Sequence, residues 1–200
     1  MDTRRLILAS TSPYRVELLN RLLLKFEQID PRYEELKEEH EKPASCALRL
    51  AEGKALALSD QNNALIIGSD QVAHLDNQIF GKPMNYKKAF QQLQLCSGRW
   101  LSFSTAVVVY DTANQHLLSR VERFDIRFRE LSTNVIEDYL EIEKPFDCAG
   151  SIKAEALGIT LIQEMRGKDV NTLYGLPLIA LTDLLNQMRI LTDHQLLASC

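Results

Sequence analysis

Glycine-rich phosphate loops, paired cysteines and long apolar runs are all missing from this chain of 200 residues. G-x-x-x-x-G-K-[ST], G-x-G-x-x-G and G-x-S-x-G do not occur, which argues against a P-loop NTPase, a Rossmann dehydrogenase and an α/β-hydrolase. Cys46, Cys96, Cys148 and Cys200 form no C-x-x-C pair, so neither a zinc site nor a dithiol redox motif is suggested, and core thiols in a reducing compartment are the simpler reading. His40, His74, His116 and His194 are scattered, with no H-E-x-x-H, so a metal site here would be built from oxygen ligands. No apolar run approaches the roughly 18 residues a membrane helix needs, and the apolar stretch of "MDTRRLILAS" is too short for a signal-peptide core. The expectation is a cytoplasmic protein with no membrane partner. Excess positive charge is lacking too: the formal net charge is -4, which excludes nucleic-acid binding through bulk charge but leaves room for a local basic cluster around a small anion.

With 46% hydrophobic and 25% charged residues, the composition is that of an ordinary globular domain. The pattern predicts a strand over Leu6–Ala9, a helix from Pro13 to Leu24 and a strand over Phe26–Ile29. The charge run Glu34 to Lys42 reads as a solvated loop. Pro43 opens a helix running to about Ser59. "ALIIGSD" reads as a buried strand ending at Gly68-Ser69-Asp70, followed by a small hairpin turning at Asp76-Asn77. Asn85 to Leu95 reads as a helix with Tyr86, Ala89, Phe90 and Leu93 on its core face. Two long strands, "FSTAVVVYD" and "HLLSRVERFDIRF", precede a helix capped by Ser132 that ends before Pro145. "GITLIQEM" reads as a strand and Leu178 to Ile190 as a closing helix. Alternating β-α units beside an antiparallel run indicate an α/β protein with a mixed sheet.

The residues that bear chemistry gather at strand-to-helix junctions. Ser10, Thr11, Ser12 and Pro13 open the first helix, whose free N–H groups and dipole form an anion site that hydroxyls can extend. The same residues also make an ordinary helix cap. Arg15 falls on the leucine face of that helix, at the core edge, where its charge needs either a phosphate or a buried carboxylate as partner. Lys54 lies within the apolar arc of the next helix and either snorkels outward or lines a crevice. Asp70 after an apolar strand is a metal ligand, a general base, or a plain turn aspartate. Lys82, between Gly81 and Pro83, is weak evidence alone, and a carboxylate of Glu34-Glu35 is available to join Asp70 on a hard metal. Lys153 and Glu155 share one side of an extended segment, where the simplest reading is an ion pair at a sheet edge.

Taken together, "LILASTSPYR", "RLAEGKA", "LIIGSDQV", "GKP", "CAGSIKAEALGI" and "NTLYGLPL" resemble, in order and over nearly the whole chain, the Maf family of nucleotide pyrophosphatases. The resemblance implies one Maf-like domain over residues 1–200, two-lobed with a central cleft and often dimeric. It implies hydrolysis of a nucleoside triphosphate to the monophosphate and pyrophosphate with a divalent cation, Mg2+ or Mn2+. Asp70 matches the family's proposed proton acceptor, Ser10, Ser12, Arg15, Lys54 and Lys82 its cleft residues, and Glu35 the glutamate of its Asp-Glu pair, placing the cation on Glu35 and Asp70. Tyr14, Gln71 and Glu155 occupy the three positions that separate substrate classes, and an aromatic, Gln and Glu there resemble the branch associated with 7-methyl-GTP. The dTTP/UTP branch resembles Arg, Thr and Gln at those places. A non-catalytic nucleotide-binding regulatory protein is the reading from another class. The chain departs from the family pattern at Glu34-Glu35 for Asp-Glu, Thr105-Ala106 for Thr-Gly, and Tyr14 where a tryptophan is familiar.

Overall fold

A computed structural model describes residues 4–36, 38, 40–76 and 78–188. Parts of the predicted charge run (Lys37, Glu39), of the hairpin turn (Asn77) and the end of the closing helix (Arg189, Ile190) lie outside the described residues. So do His194 and Cys200.

The elements, in chain order, are β1 (Arg5–Ala9), α1 (Pro13–Asn20), β2 (Glu27–Ile29), α2 (Pro43–Leu56), β3 (Ala64–Leu75), β4 (Gln78–Phe80), α3 (Tyr86–Cys96), β5 (Trp100–Asp111), β6 (His116–Phe128), α4 (Thr133–Glu143), β7 (Ile162–Gly167) and α5 (Leu178–Gln187). They build one mixed sheet ordered β2-β1-β3-β5-β6-β7, with β4 paired to β3. β1 is parallel to β2 and β3, and the other pairs are antiparallel.

β3 organises the molecule. Along one edge it pairs with β5 from Leu65 to His74. Along the other, β1 covers Ala64 to Ile67 and β4 covers Ala73 to Leu75. Among the described residues, 68–72 have no strand neighbour on that edge, so the sheet is split there. The expected strand end at Gly68-Ser69-Asp70 is therefore corrected: the strand runs through Asp70 to Leu75, because β5 continues to satisfy its backbone. Asp70 is a mid-strand residue beside a gap, not a turn aspartate.

Alternation on β3 sorts the core into three clusters. Ala64, Ile66 and Val72 face α2, against its small residues Ala47, Ala51 and Ala55. On the opposite face Leu65 and Ile67 pack with α1 and α5, whereas Ala73 and Leu75 pack with α3 and α4. Ser69 and Gln71 lie between these two apolar blocks, and Thr105 does the same on β5 between Phe103 and Val107. This polar seam marks where the two halves of that face part.

Gly68 is where α2 comes nearest the sheet. A Cβ there would stand 2.2 Å from the Ala51 carbonyl oxygen, so only glycine permits the approach.

Other boundaries moved less. α1 stops at Asn20 and continues as a turn, and α2 ends at Leu56. The predicted "GITLI" strand is a 3-10 segment over Leu157–Leu161, with strand geometry beginning at Ile162. Tyr86 is 40% exposed and stacks on Phe90 rather than entering the core. Among the described residues no helix is long and apolar enough to cross a membrane.

Candidate active site

A cavity of about 620 Å3 opens at the split in the sheet. Ser10, Ser12, Tyr14, Arg15, Glu35, Lys54, Asp70, Gln71, Lys82 and Glu155 all line it. The topology explains how residues so distant in sequence meet. The β1–α1 junction and β3 are neighbours in the sheet, α2 crosses β3 at Gly68, and the loop after β4 returns to the gap.

At the first junction, Ser12 is the N-cap of α1, and its hydroxyl accepts from the Arg15 N–H at 3.4 Å. Pro13 follows at the first helical turn, where no N–H is needed. The Ser10 hydroxyl accepts from Ser12 N–H (3.1 Å) and from Arg15 Nη1 (3.4 Å). Arg15 also donates through Nε to the Gly175 carbonyl at 2.9 Å, which aims its Nη2 to within 4.0 Å of Asp70 Oδ1. Gly175 has φ +104, a conformation open to glycine. Of the two partners the sequence offers Arg15, the buried carboxylate is thus present as Asp70. Burial pulls the guanidinium below its ordinary value, while Asp70 and Glu35 hold it charged.

Lys54 does not snorkel. Its side chain is about 10% exposed, and Nζ lies 2.5 Å from Asp70 Oδ1 and 2.6 Å from Glu35 Oε1. Partial burial opposes ionisation of Glu35, but the Lys54 hydrogen bond and charge, with Lys82 and Arg15 behind, keep its pKa below the usual carboxylate range. Lys82 lines the cavity from the exposed loop after β4. Around Asp70 and Glu35, at this end of the cavity, the charges of Arg15, Lys54 and Lys82 converge and give a local positive excess suited to an anion.

Among the described residues no three His, Cys, Asp or Glu side chains cluster so as to hold a metal ion unaided. Two carboxylates do converge, Asp70 and Glu35, each with one oxygen on Lys54. Mg2+ typically takes one or two carboxylates and completes its shell with water and substrate phosphates. The donor set fits that mode and not an all-protein cage.

The other wall is of different character. Tyr14 sits with its hydroxyl 3.9 Å from Cys148 Sγ. Burial, then the neighbouring thiol and acids, raises the phenol well above its ordinary pKa, and burial lifts Cys148 to about 12. Both groups are neutral near pH 7, so Tyr14 presents an uncharged ring and Cys148 an inert thiol. Glu155 is exposed, and its carboxyl is raised chiefly by desolvation, with a hydrogen bond from its own backbone N–H and the charge of Lys153 opposing and Glu143 and Glu17 adding to the rise. The cross-strand ion pair expected of an extended segment at a sheet edge does not form, because residues 152–161 belong to no strand. Lys153 pairs with Glu143 at 3.4 Å, because the chain turns between residues 153 and 157 instead of running extended. That turn frees Glu155 for the cavity.

Sequence reasoning missed the residues that brace the seam. Ser69 donates towards the carbonyls of Ala106 and Gly175, and Thr105 to that of Thr172. Arg32, in a left-handed conformation at φ +48, also lines the cavity. Buried hydroxyls inside apolar strands were the available signal, since each needs a partner.

The protein is thus an α/β protein whose split mixed sheet gathers Arg15, Lys54, Lys82, Glu35 and Asp70 at one side of a cavity and Tyr14, Gln71 and Glu155 at the other. The sequence model described as Maf-like protein matches residues 5–188, and the chain belongs to the Maf family. It is 48% identical over 183 residues to a 7-methyl-GTP pyrophosphatase of Nitrosococcus oceani, covering 91% of this chain and 92% of that protein. It is 45% identical over 184 residues to one of Aliivibrio fischeri, covering 92% and 95% of the two chains. A third, of Pseudoalteromonas atlantica, is 46% identical over 186 residues, covering 93% and 96%.

Proposed function

We propose that this protein is a nucleoside triphosphate pyrophosphatase that cleaves 7-methyl-GTP, or a related modified purine nucleotide, to the monophosphate and pyrophosphate. The observation that carries the reading is the buried Lys54–Asp70 pair, flanked by Arg15, in the same cavity as Tyr14, Gln71 and Glu155. The names of the relatives point the same way.

Arg15, Lys54, Lys82 and the α1 N-terminus grip the triphosphate and offset charge that develops as the bond between the α- and β-phosphates breaks. Asp70 Oδ1 is held by Lys54, which leaves Oδ2 to orient a water and accept its proton. A divalent cation held by Asp70 and Glu35, when bound, supplies Lewis-acid polarisation of phosphate oxygens and a water of lowered pKa. Methylation at N7 makes guanine cationic. The Tyr14 ring stacks on that cation with a gain of about 0.5–2 kcal/mol, and an ionised Glu155 accepts from the N1–H and amino group. Uracil and thymine lack the amino group and present carbonyls that Glu155 repels.

The test is pyrophosphate release from purified protein with 7-methyl-GTP, GTP, dTTP and UTP, each with Mg2+, with Mn2+ and with chelator. Cation-dependent release with 7-methyl-GTP ranked first is expected. A preference for UTP or dTTP would move the assignment to the other branch, and no release from any nucleotide would leave a binding protein.

A further inference from the structure

The hydrogen bonds around Gln71 fix what that side chain can offer a ligand. Its Nε2 lies 2.8 Å from the Thr172 carbonyl oxygen, 3.0 Å from that of Leu173 and 3.1 Å from Thr105 Oγ1. Two carbonyl oxygens against one end of an amide require the NH2 there, because an amide oxygen would meet only acceptors. Thr105 is fully buried, and its single proton goes to the Thr172 carbonyl at 2.8 Å, so towards Gln71 it acts only as an acceptor. Both amide protons of Gln71 are therefore engaged by the protein. No donor among the described residues reaches Oε1, and it is not a buried atom left without a partner. Gln71 lines the cavity, so Oε1 is the face it presents there.

Glu155, when ionised, is likewise an acceptor only. We infer that Thr105 is a positioning residue: its proton fixes the Thr172 carbonyl and its oxygen completes the acceptor set around Gln71 Nε2, so that together with the Leu173 carbonyl it holds the Gln71 amide in the one orientation that makes this part of the cavity read N–H donors and reject carbonyl edges. The inference rests on the pyrophosphatase reading and deepens it. Guanine carries three donors on one edge, the N1–H and two amino hydrogens. A carboxylate takes the N1–H and one amino hydrogen side by side. The second amino hydrogen then needs another acceptor, which Gln71 Oε1 supplies. Were Gln71 free to turn, it would meet a carbonyl base equally well and the discrimination would be lost.

The experiment compares 7-methyl-GTP with 7-methyl-ITP, which lacks only the amino group, in the parent protein, Thr105→Val and Thr105→Ser. Loss of a donor that a site is built to receive costs at least about tenfold in kcat/KM. The parent is expected to prefer 7-methyl-GTP, Thr105→Val to lose about tenfold of that preference through KM, and Thr105→Ser to keep it within about twofold. A folded Thr105→Val protein that retains the full preference overturns the inference, as does Thr105→Ser losing as much as Thr105→Val. If Thr105→Val does not fold, Thr105→Ala decides: an unchanged preference overturns the inference, and a roughly tenfold loss that Thr105→Ser does not show supports it. Absence of hydrolysis by the parent would instead count against the pyrophosphatase reading, and the same nucleotide pair measured by calorimetric Kd would then test the lock, with the same ratios expected.

Discussion

Lys54 Nζ sits 2.5 Å from Asp70 Oδ1 while the same ammonium lies 2.6 Å from Glu35 Oε1, so one buried cation joins a mid-strand carboxylate to one from the loop after β2. Replacing it exposes what it does. Lys54→Met leaves Asp70 buried with only Arg15, 4.0 Å away, as a counter-charge. Breaking a buried pair by removing one partner costs about 3–5 kcal/mol, and Arg15 moderates this to about 3 kcal/mol or less. Denaturant titration should show that loss, and steady-state assays a larger one, since the triphosphate loses a cation as well.

Asp70→Asn separates chemistry from architecture. Lys54 keeps Glu35 and a hydrogen bond to the amide oxygen, while Lys54 and Arg15 lose their buried counter-charge, so the protein should stay folded with a melting temperature lowered by several degrees. Turnover should fall by at least about 10²–10⁴, the range that general base catalysis supplies. A variant within tenfold of the parent kcat would remove Asp70 from the role of proton acceptor.

Gly68→Ala tests whether the approach of α2 to β3 sets the site. The added methyl would stand 2.2 Å from the Ala51 carbonyl oxygen, which is backbone and cannot swing aside. α2 must back away, at about 1–3 kcal/mol of overpacking strain, carrying Lys54 off Asp70. Reduced stability together with reduced kcat is expected. Lost stability with unchanged kcat would show that the pair tolerates the shift.

How far the sequence foretold this site differs from residue to residue. The anomalies of Arg15 and Lys54, charges on apolar helix faces, were visible because a buried charge demands a partner. Which partner was not visible, since Asp70 lies 55 residues from Arg15 in sequence and meets it only through β1–β3 pairing. The strand through Asp70 was cut short because Gly68-Ser69-Asp70 carries turn-forming residues, and tertiary pairing with β5 overrode that local preference. The Thr105–Gln71–Thr172 bracing leaves only a generic mark in the sequence: a hydroxyl inside an apolar strand needs a partner, but which one depends on neighbours the sequence does not name. The long antiparallel pair β5–β6 was plain, being set by local pattern and a short turn.

Tyr14 should act through its ring more than through its hydroxyl, whose contact is a long one to Cys148 Sγ at 3.9 Å. Tyr14→Phe is expected to change the KM for 7-methyl-GTP by less than about twofold. Tyr14→Leu should raise it up to about thirtyfold, the equivalent of the upper cation–π range of about 2 kcal/mol, with little change for unmethylated GTP. Tyr14→Trp should lower it. Equal effects of Tyr14→Leu on both nucleotides would mean that the ring packs without sensing the charge.

Glu155 gives the site a pH dependence whose sign follows from its environment. Desolvation, reinforced by Glu143 and Glu17 and opposed by Lys153, raises its pKa above the usual carboxylate value. A cationic base is favoured only by the ionised form. KM for 7-methyl-GTP should therefore rise as pH falls through the raised pKa, from a higher pH than an ordinary glutamate would show. Stability runs the other way. The fold disfavours the charged form, so the penalty is full above the raised folded pKa, shrinks as pH falls from there, and is gone below the ordinary carboxylate value of the unfolded chain. Glu155→Gln should thus melt higher than the parent near pH 7, lose that advantage in acid, and show a KM for 7-methyl-GTP that is raised and flat across the same interval. A parent KM that stays constant while GTP and 7-methyl-GTP remain distinguished would take Glu155 out of charge recognition and leave the discrimination to Tyr14 and Gln71.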